Sequence, residues 1–279
     1  MAVILDGRAT SSEVMEELGK QAEELRRKGV TPTLALILVG DDRYSRRYVN
    51  MKVKRAEGVG VATQLHHLQE ATQDELLNLV KGLSEDKSIH GIMVQLPLPE
   101  GYDELLTVEA IAPKKDVDGL NPATLGKLLM GEDCFPPAAV EAIMELLKRH
   151  DIDPEGKHWV IAGLSNIVGK PLAALLTNFD VAVTCLQIEQ ENLSDYTKEA
   201  DVLMVDIGRK GAITAEMVKK GAVVLDNGNN YEGRKVFGDV DFENVKGIAS
   251  AITPVPGGIG PLLIAMLIRN TLKAAESSV

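Results

Sequence analysis

The sequence predicts an α/β protein with two domains, and three observations carry that prediction. Apolar runs of strand length alternate with amphipathic stretches of helix length from residue 10 to about residue 100. A polar, proline-bounded stretch, "PKKDVDGLNP" (113–122), interrupts the alternation and reads as a hinge. The alternation restarts at "HWVIAGLSNIVGKP" (158–171), an apolar run, a small-residue turn and a new helix start.

Each element has its own warrant. Residues 10–28 read as a helix, opened by a Thr10–Glu13 capping box and stopped by Gly29. "TLALILV" (33–39) is an apolar run of strand length, and "YSRRYVNMKVKRAEGVG" (44–60) follows as a helix ending near Gly58. "VATQLHHL" (61–68) is a strand in which His66 and His67 should face opposite ways, one to the core and one to solvent. A second capping box, Thr72 with Glu75, opens a helix to about Asp86, and "GIMVQL" (91–96) is a buried strand broken by Pro97 and Pro99. In the second half, helix 137–149 precedes the strand "HWVIAG", and a helix then runs to about Asn178. "VAVTCL" (181–186), "DVLMVD" (201–206) and "AVVLD" (222–226) are strands, "YEGRK" (231–235) is a hairpin turn, and 259–275 is an apolar helix.

Bulk properties exclude several classes. The 279-residue chain carries a net charge of -11, a poor match to the phosphate backbone of nucleic acid. No stretch approaches the ~18 apolar residues of a membrane span. "MAVILDGR" is too short an apolar run for a signal peptide, and two distant cysteines, Cys134 and Cys185, fit reduced thiols in a cytoplasmic setting. No Cys/His cluster has metal spacing, so no metal is expected, and both histidines of 66–67 read as structural.

Several motifs carry candidate chemistry. Tyr48 and Lys52 lie one turn apart on one helix face, which taken alone is an ordinary exposed pair. "VIAGLSNIVGKP" (160–171) is a strand, turn and helix start of the kind that offers backbone N–H groups to a pyrophosphate, although its G-x-S-x-x-x-G spacing equally fits a plain βα turn. "QLPLP" (95–99) leaves a strand where ligands of open α/β sheets bind, which places Gln95 at such a site; a lone Gln there is also an ordinary loop amide. Asp116 and Asp118 of "KDVDGLNP" could each accept a pair of N–H donors, and Asp-Gly is equally a turn former. "TPVPGGIGP" (253–261) combines prolines that fix a path with glycines that allow close backbone approach.

The pieces "VGDDRYSRRYVNMKVKRAEGVGV", "GIMVQLPLP", "KDVDGLNP", "SNIVGKP", "GDVDF" and "ITPVPGGIGP" together resemble the methylenetetrahydrofolate dehydrogenase/methenyltetrahydrofolate cyclohydrolase family, in its order and at its spacing, along nearly the whole chain. The resemblance implies an N-terminal α/β catalytic domain at 1–120 joined by the C-terminal helix 256–279, a Rossmann-type dinucleotide-binding domain at 121–255, and a cleft between them. It implies oxidation of 5,10-methylenetetrahydrofolate with NAD or NADP and hydrolysis of the methenyl product to 10-formyltetrahydrofolate. Carried over by position, Tyr48 packs on the folate, Lys52 is the catalytic lysine, Gln95 tunes it, and Asp118 grips the pterin N–H groups. Val94, Leu96, Pro256, Gly257 and Gly258 join them in the folate slot. Gly163, Leu164, Ser165, Val168, Gly169, Glu189, Asn229 and Thr253 fall at cofactor positions. The family's habit also implies a homodimer paired through the second domain.

The cofactor half departs from the family's pattern. Leu164 precedes the turn serine where Arg or Ala is usual, Asn229 replaces an Ile, and Asp206 replaces a small apolar residue. "CLQIEQENL" (185–193) brings Glu189 and Glu191 to the end of the second strand. A carboxylate there accepts from a free ribose 2′-OH and repels a 2′-phosphate, so NAD is favoured over NADP. Two other readings stay open: a cyclohydrolase with weak or lost dehydrogenase activity, and a non-catalytic folate- or nucleotide-binding regulator. The set Tyr48, Lys52, Gln95 and Asp118 argues against the last.

Overall fold

The computed structural model describes residues 2–189, 191–233 and 235–278, so Gln190 and Arg234 of the stretches read above lie outside the described residues. In chain order the elements begin β1 (Val3–Ile4), α1 (Gly7–Arg27), β2 (Thr33–Val39), α2 (Arg43–Gly58), β3 (Ala62–Leu68), α3 (Gln73–Glu85) and β4 (Gly91–Val94). They continue α4 (Glu104–Glu109), α5 (Pro122–Leu129), α6 (Ala138–Arg149), β5 (His158–Ala162), α7 (Gly169–Leu176), β6 (Ala182–Leu186) and α8 (Leu193–Thr197). The last are β7 (Val202–Val205), β8 (Val223–Asp226), β9 (Asn230–Glu232), β10 (Lys235–Phe237), α9 (Phe242–Val245), β11 (Ala251–Ile252) and α10 (Gly260–Glu276). The chain divides into two compact α/β units, one of Ser12–Lys127, Asp133–Ala138 and Ile264–Val279, the other of Met1–Ser11, Leu128–Glu132 and Ala139–Leu263.

The first unit holds a parallel sheet of order β3-β2-β4. β2 is its middle strand and every residue of "TLALILV" is buried, which is why that run is apolar throughout instead of alternating. Ala35, Ile37 and Val39 pack with Leu76, Val80 and Leu83, one face of α3 at helical spacing. The Thr72–Glu75 capping box is present in full at the start of α3.

Three expectations are corrected here. α1 begins at Gly7, not at Thr10: Asp6 Oδ1 accepts from the N–H groups of Arg8 and Ala9, so Asp6 is the capping residue and Thr10 sits inside the helix. β3 lies at the sheet edge, so His66 and His67 do not divide between core and solvent, and both are half-buried. His67 Nε2 bonds the Gly40 carbonyl oxygen at 2.8 Å, while desolvation lowers the pKa of His66. The stretch 113–122 is no hinge. Lys115 Nζ donates to the carbonyls of Leu83 and Asp86, Asn121 Nδ2 donates to that of Ile111, and Asp116 is fully buried. Its polar composition serves an internal network that ties β4, α3 and α4 together within the one unit.

α10 closes this unit. Asn270 Nδ2 donates to Val117 O at 3.1 Å, and a Cβ on Gly91 would lie 2.9 Å from Thr271 Oγ1 and from the Val117 side chain. Only glycine allows β4 to start that close to α10.

The second unit holds a six-stranded sheet of order β1-β11-β8-β7-β5-β6, parallel at every pairing. β1, to which sequence reading assigned no element, pairs with β11 through Val3↔Ala251 and Ile4↔Ile252. Val160, Ala162, Leu203, Val205, Val224 and Ile252 form part of its core. From β5 the chain passes to β6 on one side and then to β7 on the other. The carboxyl ends of β5 and β7 therefore flank the point where strand order reverses, the place where such sheets bind ligands. The expected hairpin is present as the antiparallel pair β9–β10. Among the described residues no helix is long and apolar enough to cross a membrane.

Candidate functional site

In the first unit, α2 presents its lysine inward. Asp42 caps the helix by accepting from Ser45 N at 2.6 Å, which fixes its start. Val49, Lys52 and Ala56 then form the buried face, so Lys52 occupies a position where the helical period calls for an apolar residue. It is 5% exposed. Its Nζ donates to Gln95 Oε1 at 3.0 Å, contacts Met93 Sδ at 3.4 Å, and lies 4.5 Å from the centroid of the Tyr48 ring. Desolvation lowers the pKa of Lys52 to about 8, against the pull of the Asp118 charge, which raises it.

Gln95 is buried just past β4, with its N–H bonded to Ile37 O and its Nε2 bonded to Leu96 O. That leaves Oε1 aimed at the lysine. The peptide Leu96–Pro97 is cis. Val94 is buried, and Leu96 is half-buried beside it.

The two aspartates of "KDVDGLNP" separate by environment. Asp116 accepts from Leu120 N, Asn121 N and Thr124 Oγ1, so its carboxylate is committed to folding this loop. Burial raises its pKa to about 6, with those hydrogen bonds opposing. Asp118 is the one coupled to Lys52; desolvation raises its pKa and the lysine charge lowers it. A pair of opposite charges, both reluctant to ionise, is an arrangement suited to proton handling.

In the second unit, Thr253, Pro256, Gly257 and Gly258 lie between β11 and α10. Thr253 is buried, its Oγ1 accepting from Asp226 N at 2.7 Å, so its hydroxyl is occupied within the fold. Pro256 is exposed, and Gly257 has φ 128°, open only to glycine without strain. A Cβ on Gly7 would meet Gly258 O, so the start of α1 abuts this loop directly.

The "GDVDF" motif is a structural brace. Asp226 Oδ1 accepts from Asp239 N and Gly228 N, and its Oδ2 accepts from Val240 N. Asp239 Oδ2 accepts from Ile207 N and Gly208 N. Two buried carboxylates thus hold the chain beyond β7 and β8 by backbone N–H groups.

The turn after β5 carries Gly163, Leu164, Ser165, Val168 and Gly169. Cβ atoms at Gly163 and Gly169 would fall 2.0 Å from Asp206 O and 2.1 Å from Gly163 O, so the turn closes only with glycine at both. It delivers the N-terminus of α7 to the reversal point between β5 and β7, the place where sheets of this kind generally bind a pyrophosphate. Ser165 Oγ accepts from Val168 N at 3.1 Å. Glu189 is exposed in the turn beyond β6, and Asn229 is exposed in the link from β8 to β9. Arg209 Nη2 donates to Ile188 O at 3.0 Å, which brings a guanidinium to the same strand end.

Two participants escaped the sequence reading as site residues. Met93 meets Lys52, and a thioether one strand position from Val94 gives no signal in sequence. Asp206 was visible as a departure from pattern, but its bond to Ser165 depends on β5 and β7 being neighbours. No group of three or more His, Cys, Asp or Glu that could hold a metal ion exists among the described residues.

Known proteins share both halves of this arrangement. A family model described as the catalytic domain of tetrahydrofolate dehydrogenase/cyclohydrolase matches residues 5–118, and one described as its NAD(P)-binding domain matches residues 137–279. The bifunctional protein FolD of Bacillus subtilis (strain 168) is 48% identical over 99% of this chain and 98% of its own. The crystal structure of the bifunctional dehydrogenase/cyclohydrolase FolD from Campylobacter jejuni superposes with a TM-score of 0.98 at 44% identity, covering 100% of both chains. The Trypanosoma brucei dehydrogenase-cyclohydrolase, solved with NADP cofactor and inhibitor, gives 0.94 at 34% identity over 99% of this chain and 98% of its own. With both domain models matched in sequence order and similarity sustained end to end, the chain belongs to the tetrahydrofolate dehydrogenase/cyclohydrolase family.

Proposed function

We propose that Lys52 and Gln95 carry the chemistry of this bifunctional enzyme, which oxidises 5,10-methylenetetrahydrofolate with NAD(P) and hydrolyses the methenyl product to 10-formyltetrahydrofolate. The observation that supports it is the buried Lys52 ammonium, bonded to Gln95 Oε1 at 3.0 Å with its pKa lowered to about 8. A methenyl cation beside Lys52 repels the ammonium and favours its neutral form further. The neutral amine then accepts a proton from water as the water attacks the methenyl carbon. Gln95 accepts one Nζ hydrogen and so aims the remaining amine positions. Tyr48 supplies an aromatic face for the pterin, Asp118 accepts from its N–H groups, and Val94 and Leu96 line the slot. Pro256, Gly257 and Gly258 add backbone that can approach the folate closely. A nicotinamide dinucleotide supplies the hydride acceptor when bound, and the residues that would hold it are Gly163, Leu164, Ser165, Val168 and Gly169, with Glu189, Asn229 and Thr253 nearby in sequence pattern.

The hydrolysis rate should follow the lysine. Because the neutral amine is the active form, kcat/KM for the methenyl substrate is expected to rise with pH and level off above about 8. A profile flat from pH 6 to 9, measured by decay of methenyl absorbance, would remove Lys52 as the base.

For the cofactor we infer a preference for NAD over NADP. Glu189 is exposed beyond β6 and lies 20 residues after Gly169, the usual offset of an acid that accepts from a ribose 2′-OH. A carboxylate ~4 Å from a 2′-phosphate costs roughly 4 kcal/mol per unit charge at an effective dielectric near 20, before screening. The deciding measurement is kcat/KM with each cofactor at saturating methylene substrate. A clear NADP preference would assign that subsite to Arg209 instead, and no turnover with either would leave a cyclohydrolase alone.

We also infer a cytoplasmic homodimer paired through the second unit. The apolar runs within 201–226 are taken up inside the sheet, as β7 and β8, and so lend pairing no support. The support that remains is β6, an edge strand bonded only to β5 among the described strands. Sedimentation of a monomer at micromolar concentration would refute the dimer.

A further inference from the structure

Asp206 stands at the carboxyl end of β7, directly across the strand-order reversal from the turn that follows β5. Its register fixes it there: Val205 pairs with Ala162, and Asp206 N bonds Ala162 O at 2.8 Å. The side chain is half-buried and faces the turn. Oδ2 accepts the hydroxyl hydrogen of Ser165 at 2.6 Å, and Oδ1 accepts from Asn227 Nδ2 at 3.1 Å. Ser165 Oγ in turn accepts from Val168 N at 3.1 Å and from Gly169 N at 3.5 Å.

This arrangement has three effects on an anion arriving at the α7 N-terminus. A hydroxyl has one hydrogen, and Asp206 holds it, so Ser165 has none to offer a phosphate oxygen. The same hydroxyl oxygen occupies the helix-start N–H groups that would otherwise face the anion. The carboxylate also adds a full negative charge two hydrogen bonds from the place where a pyrophosphate brings its own. Asn227, an uncharged amide, satisfies Oδ1 without neutralising it.

We propose that Asp206 is a brake on dinucleotide binding: its charge and its hold on Ser165 weaken pyrophosphate capture at the β5–α7 turn, equally for NAD and NADP. The inference rests on the placement of the dinucleotide at that turn. It differs from the role of Glu189, which distinguishes the two cofactors, whereas Asp206 acts on the part they share.

The test is calorimetric titration of NAD and of NADP into wild-type protein, Asp206→Asn and Asp206→Ala. Asparagine keeps an acceptor for Ser165 and removes the charge; alanine removes both. Both variants are expected to bind both cofactors more tightly, on the order of tenfold, with the gain shrinking as salt is raised. A residue that only shaped the turn would, when replaced, weaken binding or leave it unchanged, and either result in a folded variant overturns the proposal. Thermal melts show whether each variant is folded, and a single folded variant suffices. Amide hydrogen exchange across residues 163–170 with saturating NAD separates the two levels of the argument. Protection there with unchanged affinities overturns the brake alone; no change in exchange or affinity overturns the placement as well.

Discussion

Replacing Lys52 by alanine is expected to lower the rate of methenyl hydrolysis by ~10²–10⁴-fold while the protein still folds and binds folate. The size follows from its position. Lys52 is the group whose pKa burial brings to about 8, and Gln95 and Tyr48 fix where its nitrogen points. Alanine leaves a void beside Met93, so Lys52→Met is the paired variant: it refills the space with an unbranched side chain and lacks any base. If both variants lose hydrolysis and both melt near wild type, the loss is chemical. Hydrolysis near the wild-type rate in either would mean that another group accepts the proton.

Asp118→Asn is expected to weaken folate binding by about 1.5–3 kcal/mol, roughly 10–150-fold, with little effect on dinucleotide affinity. An amide turns one acceptor into a donor that faces the pterin's own donors. A second readout follows from the coupling of Asp118 to Lys52. The carboxylate raises the lysine pKa, so its removal should move the midpoint of the hydrolysis pH profile downward. Unchanged folate affinity together with an unmoved midpoint would take Asp118 out of the site; Asp116, locked to Leu120, Asn121 and Thr124, offers no substitute.

Elements whose signal is local were legible in the sequence. "TLALILV" could be read to its ends because a central strand buried on both faces leaves an unbroken apolar run. The Thr72–Glu75 box could be read because its two reciprocal bonds span three residues. Thr10–Glu13 matches the same pattern yet lies inside α1, because Asp6 caps the helix one turn earlier and the pattern itself cannot rank two candidates. β1 has two residues and exists through its pairing with β11, near the other end of the chain. No local signal could reveal it. The site divides in the same way. The Tyr48–Lys52 spacing is helical arithmetic, but Gln95 lies 43 residues from Lys52, and only the family resemblance joined them. Asp206 and Ser165, 41 residues apart, meet because of sheet order, which sequence reading did not supply.

The exchange of end segments between the units bears on how the polypeptide is made. β1 has no strand to pair with until β11 emerges from the ribosome, and Val117 and Gly91 wait for Asn270 and Thr271. Synthesis runs from the N-terminus, so the six-stranded sheet cannot be completed before β11 is translated, and the other unit cannot be closed before α10 is. Neither corresponds to a contiguous fragment that could be expressed alone with its packing intact. A polypeptide stalled near residue 250 would carry two unfinished sheets at once, one lacking its closing helix and the other its two terminal strands. Loss of the C-terminal segment should therefore damage the unit that bears Lys52, although that lysine is translated more than 200 residues earlier.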